Sequence, residues 1–267
     1  MGLFDVHAHL THPRFDADRD DVLTRATAAG VTSIICNGLN PRDNAAVMEL
    51  ASRWPLVKPA VGLYPVDAVL TEMLALGVEY PHRGPVASAS EGVASVRRWI
   101  DQAFAVGEIG LDGYWVPESL WERQEQVFVE LVQLAMAHDK PVIIHTRKRE
   151  ARAFDLLRDL GATRVDWHCF GGKVKLARKI ADHGHYLSIP ANVARSQSFR
   201  RMIETLPRER LLLETDCPYL SPAPGTRNEP ANVAGTGEFA ARSWGLSLQA
   251  AHEQFSRNFS ALFGCAP

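Results

Sequence analysis

Residues 4–10, FDVHAHL, place two imidazoles one residue apart in an otherwise apolar stretch. On a strand, His7 and His9 share one face with Asp5, while Val6, Ala8 and Leu10 point the other way. Two imidazoles converging on one spot can hold a metal, although H-x-H alone is a weak motif. Four further apolar runs end in residues able to join them: GEIGLD carries Glu108, VIIHTR carries His145, DWHCF carries His168, and LLLETD carries Glu214 and Asp216. One histidine at such an end is ordinary. A whole set at the same end of different runs needs a common cause, because burying these groups unpaired costs several kcal/mol each.

A single catalytic ion takes about three protein ligands and keeps a position for water. His7, His9, Glu108, His145, His168 and Asp216 exceed that, so the set predicts two divalent metal ions. We expect His7, His9 and Asp216 around one ion, His145 and His168 around the other, and Glu108 bridging them. A water between ions roughly 3.5 to 4 Å apart would ionise near neutral pH and act as nucleophile, with Asp216 placed to accept its proton. Glu108 and Asp216 are therefore the expected catalytic carboxylates. Glu214 and Asp5 read as residues that orient ligand histidines, and the role of Asp112 stays open. Imidazole-rich coordination suits zinc, manganese, nickel or iron better than magnesium. Cys169 and Cys217, next to His168 and Asp216, face the other way on a strand and read as packing residues. The remaining histidines read as solvated groups.

Positioning such a set requires strands that end together. Eight apolar runs have the character of buried parallel strands: LFDVHAH, VTSIIC, LVKPAVG, AFAVGEIG, PVIIH, RVDWHC, HYLSIP and RLLLET. Amphipathic stretches separate them, such as DRDDVLTRATAAG with Val22, Leu23, Ala26 and Ala29 at helical spacing. Another is ESLWERQEQVFVELVQLAMAHD, with Leu120, Gln124, Val127, Leu131 and Leu134 on one side. The alternation predicts an α/β fold, a (β/α)8 TIM barrel, forming one domain over residues 1–267. Chemistry in such a barrel belongs at the carboxyl ends of the strands, where all the ligand candidates fall. Two loops on that side are long: one from Tyr64 to about Glu91, expected to carry a short helix near Leu70–Leu76 and to act as a flap, and one over Cys217–Pro230.

With 267 residues, 46% of them hydrophobic, the chain can bury one large core. Its formal charge of -2 does not by itself call for a polyanionic partner. MGLFDVHAHL lacks a basic leader, and no apolar run approaches the ~18 residues of a membrane span, so a cytoplasmic protein with no membrane partner is expected. The four cysteines are far apart and fit reduced thiols. Several basic residues follow strands. Arg147 lies two positions beyond His145 and should face the same pocket, and Arg227 sits on a loop able to fold over it. Arginine forks beside two cations favour a phosphate ester as substrate.

FDVHAHL, GEIGLD, PVIIHTR, HCFGG, LLLETDCPYL and RNEPANV, in this order along nearly the whole chain, resemble the motif series of the TatD family of metal-dependent hydrolases, within the amidohydrolase-like superfamily. The resemblance implies a (β/α)8 barrel, a two-metal site and deoxyribonuclease activity, with DNA or another phosphate ester as substrate, often with magnesium. The family's ligands carry over onto His7, His9, Glu108, His145, His168 and Asp216. The chain departs from the pattern where GLYPVD puts Tyr64 and Val66 in place of two histidines, where Gly113 precedes Tyr114 and Trp115, and at Gly171. Two rival readings are an amidohydrolase cleaving C–N bonds and a metal-binding barrel without nuclease activity. The first usually bridges its metals with a carbamylated lysine where this chain has Glu108. Its only strand lysine, Lys58, lies at the wrong end of its strand.

Overall fold

The computed structural model describes residues 2–82 and 84–267. In chain order the elements are β1 (Leu3–Ala8), α1 (Arg19–Ala28), β2 (Val31–Asn37), α2 (Pro41–Arg53), β3 (Val57–Val61), α3 (Leu70–Ala75), α4 (Ala89–Trp99), β4 (Ala105–Asp112) and α5 (Trp121–Ala137). There follow β5 (Val142–Arg147), α6 (Glu150–Leu160), β6 (Val165–Trp167), α7 (Val174–Asp182), β7 (Tyr186–Ile189), α8 (Gln197–Thr205), β8 (Leu211–Leu213), α9 (Val233–Trp244) and α10 (Leu248–Phe263). The strands pair in parallel in sequence order, β1 to β8. This is the (β/α)8 barrel that the alternation predicts.

The strands are runs of Val, Ile and Leu because both of their faces are covered, by the barrel interior and by the helices. On α1, Val22, Leu23 and Ala26 are buried, while Ala29 lies exposed just past the helix end. On α5 the expected stripe of Gln124, Val127, Leu131 and Leu134 is buried, and Leu120 sits in the turn before it. Gln124 is polar and wholly buried because its amide is used: it accepts from Asp112 N–H at 3.2 Å and donates to Pro65 O at 3.0 Å. It thereby ties the loop after β3 to the end of β4. That loop carries α3, close to the expected helix, and is docked by a small core of Val66, Val69, Met73 and Val116.

Closure of the ring differs from the other seams. Between β1 and β8 the ladder is reduced to a parallel bridge, Ala8 to Cys217. Asp216 N–H donates to His7 O at 2.9 Å and His9 N–H to Cys217 O at 2.8 Å. Below them the buried Asp5 carboxylate accepts from Thr215 N–H at 2.9 Å and from the Thr215 hydroxyl. A side chain thus stands in for missing main-chain bonds. Two glycines permit close approach nearby: a Cβ on Gly62 would lie 2.4 Å from the Glu108 backbone N, and one on Gly110 (φ 148) would lie 1.9 Å from His145 O.

β6 and β8 are three residues each, shorter than the apolar runs suggest. His168, Glu214 and Asp216 therefore lie beyond the strands, and period-two alternation does not set their directions. Loop backbone does, with Cys169 at φ 43 and Asp216 at φ 56. Left-handed backbone at non-glycine residues costs energy and clusters at functional sites.

Candidate metal centre

All six expected ligands meet at the carboxyl mouth of the barrel. His7 Nε2 and His9 Nε2 stand 3.1 Å apart. Glu108 Oε2 lies 3.4 and 3.5 Å from them, and Asp216 Oδ1 lies 3.8 and 3.5 Å away. The other oxygen of Glu108, Oε1, lies 3.0 Å from His145 Nδ1 and 3.5 Å from His168 Nε2. The carboxylate thus faces a different pair of imidazoles with each oxygen. Among the described residues, two groups of ligand atoms each fall within 4.8 Å: His7, His9 and Asp216, and His7, Glu108 and His168. The first is the set expected for one ion. In the second, His7 stands where His145 was expected, its ring stacked on His168 at 3.6 Å, while His145 joins through Glu108.

Three of the imidazoles have their outer nitrogen engaged, which turns the inner nitrogen toward the shared space. His9 Nδ1 donates to Asn37 O at 3.3 Å, His145 Nε2 meets Asp112 Oδ2 at 3.1 Å, and His168 Nδ1 meets Glu214 Oε2 at 3.4 Å. Glu214 is itself fixed, by Cys169 N–H at 3.0 Å and the Ser188 hydroxyl at 2.6 Å. Asp112 is likewise held, accepting from the N–H groups of Tyr114 and Trp115 at 2.7 and 2.8 Å. Its turn is a signal that sequence could have offered, since Asp commonly bonds amides two and three residues on. Glu214 orients a histidine as expected. Asp5 meets His7 only at the backbone N–H, at 3.2 Å, and its larger task is the barrel seam.

The electrostatics favour a positive charge in this space. Burial pushes the Glu108 carboxyl up, but hydrogen bonds from His145 and His168 overcome it and hold the group well below its usual range. Burial likewise opposes charge on His168, His145 and His9, yet their carboxylate neighbours outweigh it and raise all three. His7 alone is lowered, by burial and then by His168 beside it. Its Nδ1 is buried without a hydrogen-bond partner. Converging imidazole nitrogens and a carboxylate facing both groups fit divalent metal ions.

The two arginines are not brought together. Arg147 lies over the ring of Tyr114, 3.6 Å from its centroid. Arg227 pairs with Asp18 at 2.6 and 2.7 Å and covers Phe15. Tyr64 packs edge-on against His145, with ring centroids 5.0 Å apart. Cys217 is buried and Cys169 half-buried, both free thiols.

The family model described as TatD related DNase matches residues 4–264. The chain belongs to that family. Within the TatD family it is 31% identical to the deoxyribonuclease TATDN3 of Homo sapiens, over 98% of this chain and 95% of that one. It is 30% identical to a 3'-5' ssDNA/RNA exonuclease TatD of Citrobacter koseri, over 99% and 100%. Among solved structures, a TatD homolog from Escherichia coli superposes with a TM-score of 0.83 at 26% identity, covering 98% of both chains.

Proposed function

We propose that this chain is a metal-dependent phosphodiesterase acting on DNA, with two divalent ions held by His7, His9, Asp216, Glu108, His168 and His145. The observation that carries the reading is Glu108, whose two oxygens face His7 and His9 on one side and His145 and His168 on the other. The TatD relatives support it, being named for nuclease activity or for metal-dependent hydrolysis. Ions bound there would polarise a phosphoryl oxygen and bring a water's pKa toward neutrality.

The chain's own groups then have defined work. Asp216, whose carboxyl is held low by the His9 hydrogen bond despite burial, is unprotonated and placed to take the water's proton. Asp112 and Glu214 hold the rings of His145 and His168. Arg147 and Arg227 are the cations we assign to the phosphate; Arg227 would first have to leave Asp18. The imidazole-rich donor set leads us to zinc, manganese or nickel over magnesium.

The C–N hydrolase reading lacks its bridge. Glu108 occupies that place, and Lys58, at the start of β3, donates to Pro55 O at 2.9 Å. No helix among the described residues is long and apolar enough to cross a membrane. The test is metal analysis followed by DNA, phosphate-ester and cyclic-amide assays of the native protein beside Glu108→Gln. We expect metal-dependent turnover of phosphodiesters, lost in the variant while its fold persists. Equal activity in both would remove Glu108 from the mechanism.

A further inference from the structure

The rim of the centre carries aromatic surface that the hydrolytic machinery does not use. Tyr114 and Trp115 are 48% and 38% exposed and lie in contact, so their exposed surface is contiguous, the feature that marks a binding surface. They are held rather than loose. Trp115 packs edge-on against Tyr80 at 5.3 Å and against Tyr114 at 5.1 Å. Arg147 lies over the Tyr114 ring at 3.6 Å, with Lys148 Nζ 4.9 Å from the same ring. Tyr80 belongs to the docked segment after β3 and packs against its small core, so the row has a rigid backing.

The row is also tied to the centre. The backbone N–H groups of Tyr114 and Trp115 both end on Asp112 Oδ1, while Asp112 Oδ2 meets the His145 ring. One carboxylate therefore fixes a candidate ligand and the aromatic pair together. A substrate seated at Glu108 and His145 would extend its neighbouring group across these rings. One face of Tyr114 carries Arg147, yet the two rings stay half-exposed, and exposed aromatic surface with two cations on it matches the chemistry of a nucleotide whose base is free to stack and whose phosphates need countercharge.

We propose that Tyr114 and Trp115, flanked by Arg147 and Lys148, form a stacking platform for an unpaired nucleobase next to the scissile phosphate. The platform would make the protein prefer single strands or frayed ends, since a base inside a duplex cannot present its face to a ring. It accepts any base, because every base has a π face and stacking reads no hydrogen-bond pattern. The proposal rests on the phosphodiesterase reading, which its test leaves separable.

The test measures binding as well as turnover. Fluorescein-labelled dT8 is titrated against metal-free protein by anisotropy, beside an eight-residue abasic deoxyribose-phosphate chain with the same label. In native protein we expect dT8 to bind about tenfold more tightly than the abasic chain. Tyr114→Ala and Trp115→Ala should each remove most of that difference without changing abasic binding, and Trp115→Phe should restore it. Arg147→Ala should weaken both probes alike. With metal restored, the alanine variants should raise KM for dT8 while kcat holds. Equal binding of both probes by native protein would overturn the platform, as would alanine variants that weaken both equally. A native protein that proves dimeric, with Trp115→Ala monomeric, would overturn the platform and reassign the rings to self-association. Stacking without turnover would instead sink the hydrolase reading and leave the platform standing.

Discussion

At the scale of single residues, the centre is a problem of charge placed before any cation arrives. Glu108 is held low and His9, His145 and His168 are held high by their carboxylate neighbours against burial, so these imidazoles hold their second proton more tightly than free ones, and a metal must displace it. Metal binding should therefore release protons, and affinity should begin to weaken above the ordinary histidine range and go on weakening as pH falls through it. Calorimetry at pH 7 in two buffers of different ionisation enthalpy would show it, and a binding heat independent of buffer would contradict it. Asp112 gives a second test. It holds one nitrogen of His145 while Glu108 meets the other. Asp112→Ala should lower metal affinity or turnover by about 10- to 100-fold, the usual effect of removing a ligand's outer partner. Unchanged metal affinity and kcat would mean that His145 needs no such support.

At the scale of elements, legibility depended on whether a regular strand carried the residue. His7 and Glu108 sit on β1 and β4, with His9 just past the end of β1, and period two placed them correctly. His168 and Asp216 reach the same space through left-handed or irregular backbone past β6 and β8, which no strand pattern encodes. Asp5 shows the other failure. It shares a face with the histidines, but its carboxylate serves the β1–β8 seam, a long-range pairing invisible to local spacing. His185 is a quieter case, passed over as solvated although it is wholly buried just before β7. Trp167 Nε1 can only donate, and it donates to His185 Nδ1 at 3.1 Å, so Nε2 carries the hydrogen shared with Ala162 O at 2.8 Å. Burial pushes this imidazole down from 6.5 to about 4. An unfolded chain takes up the proton below 6.5 while the native one refuses it until about 4. His185 thus costs stability progressively as pH falls through that window, on the order of 3 kcal/mol in full. The stability difference between native protein and His185→Gln should shrink or reverse from pH 6.5 to 4 in denaturant titrations. A difference constant across that range would rule the effect out.

At the scale of the whole molecule, the weakest seam of the barrel and the candidate metal centre coincide. β1 and β8 meet through the Ala8–Cys217 bridge, the flanking main-chain bonds and the Asp5–Thr215 clasp. One expected ligand group spans that seam, with His7 and His9 from β1 and its end and Asp216 from beyond β8. An ion bound by those three would fasten the first and last strands together, so binding and ring closure become one equilibrium. A ligand that binds only the folded state stabilises it by about 2.7 kcal/mol at a hundredfold excess over Kd. For a chain of this size that is a rise in Tm of roughly 5–10 °C. We expect added zinc or manganese to raise Tm by that amount and a chelator to reverse it. Hydrogen exchange should slow at the main-chain amides of His9 and Asp216, which bridge the seam, more than in β3 or β5. Asp216→Ala should keep the fold yet lose most of the shift, because the group spanning the seam is then broken. An equal rise in native protein and variant, or protection spread evenly around the ring, would show that metal and closure are independent.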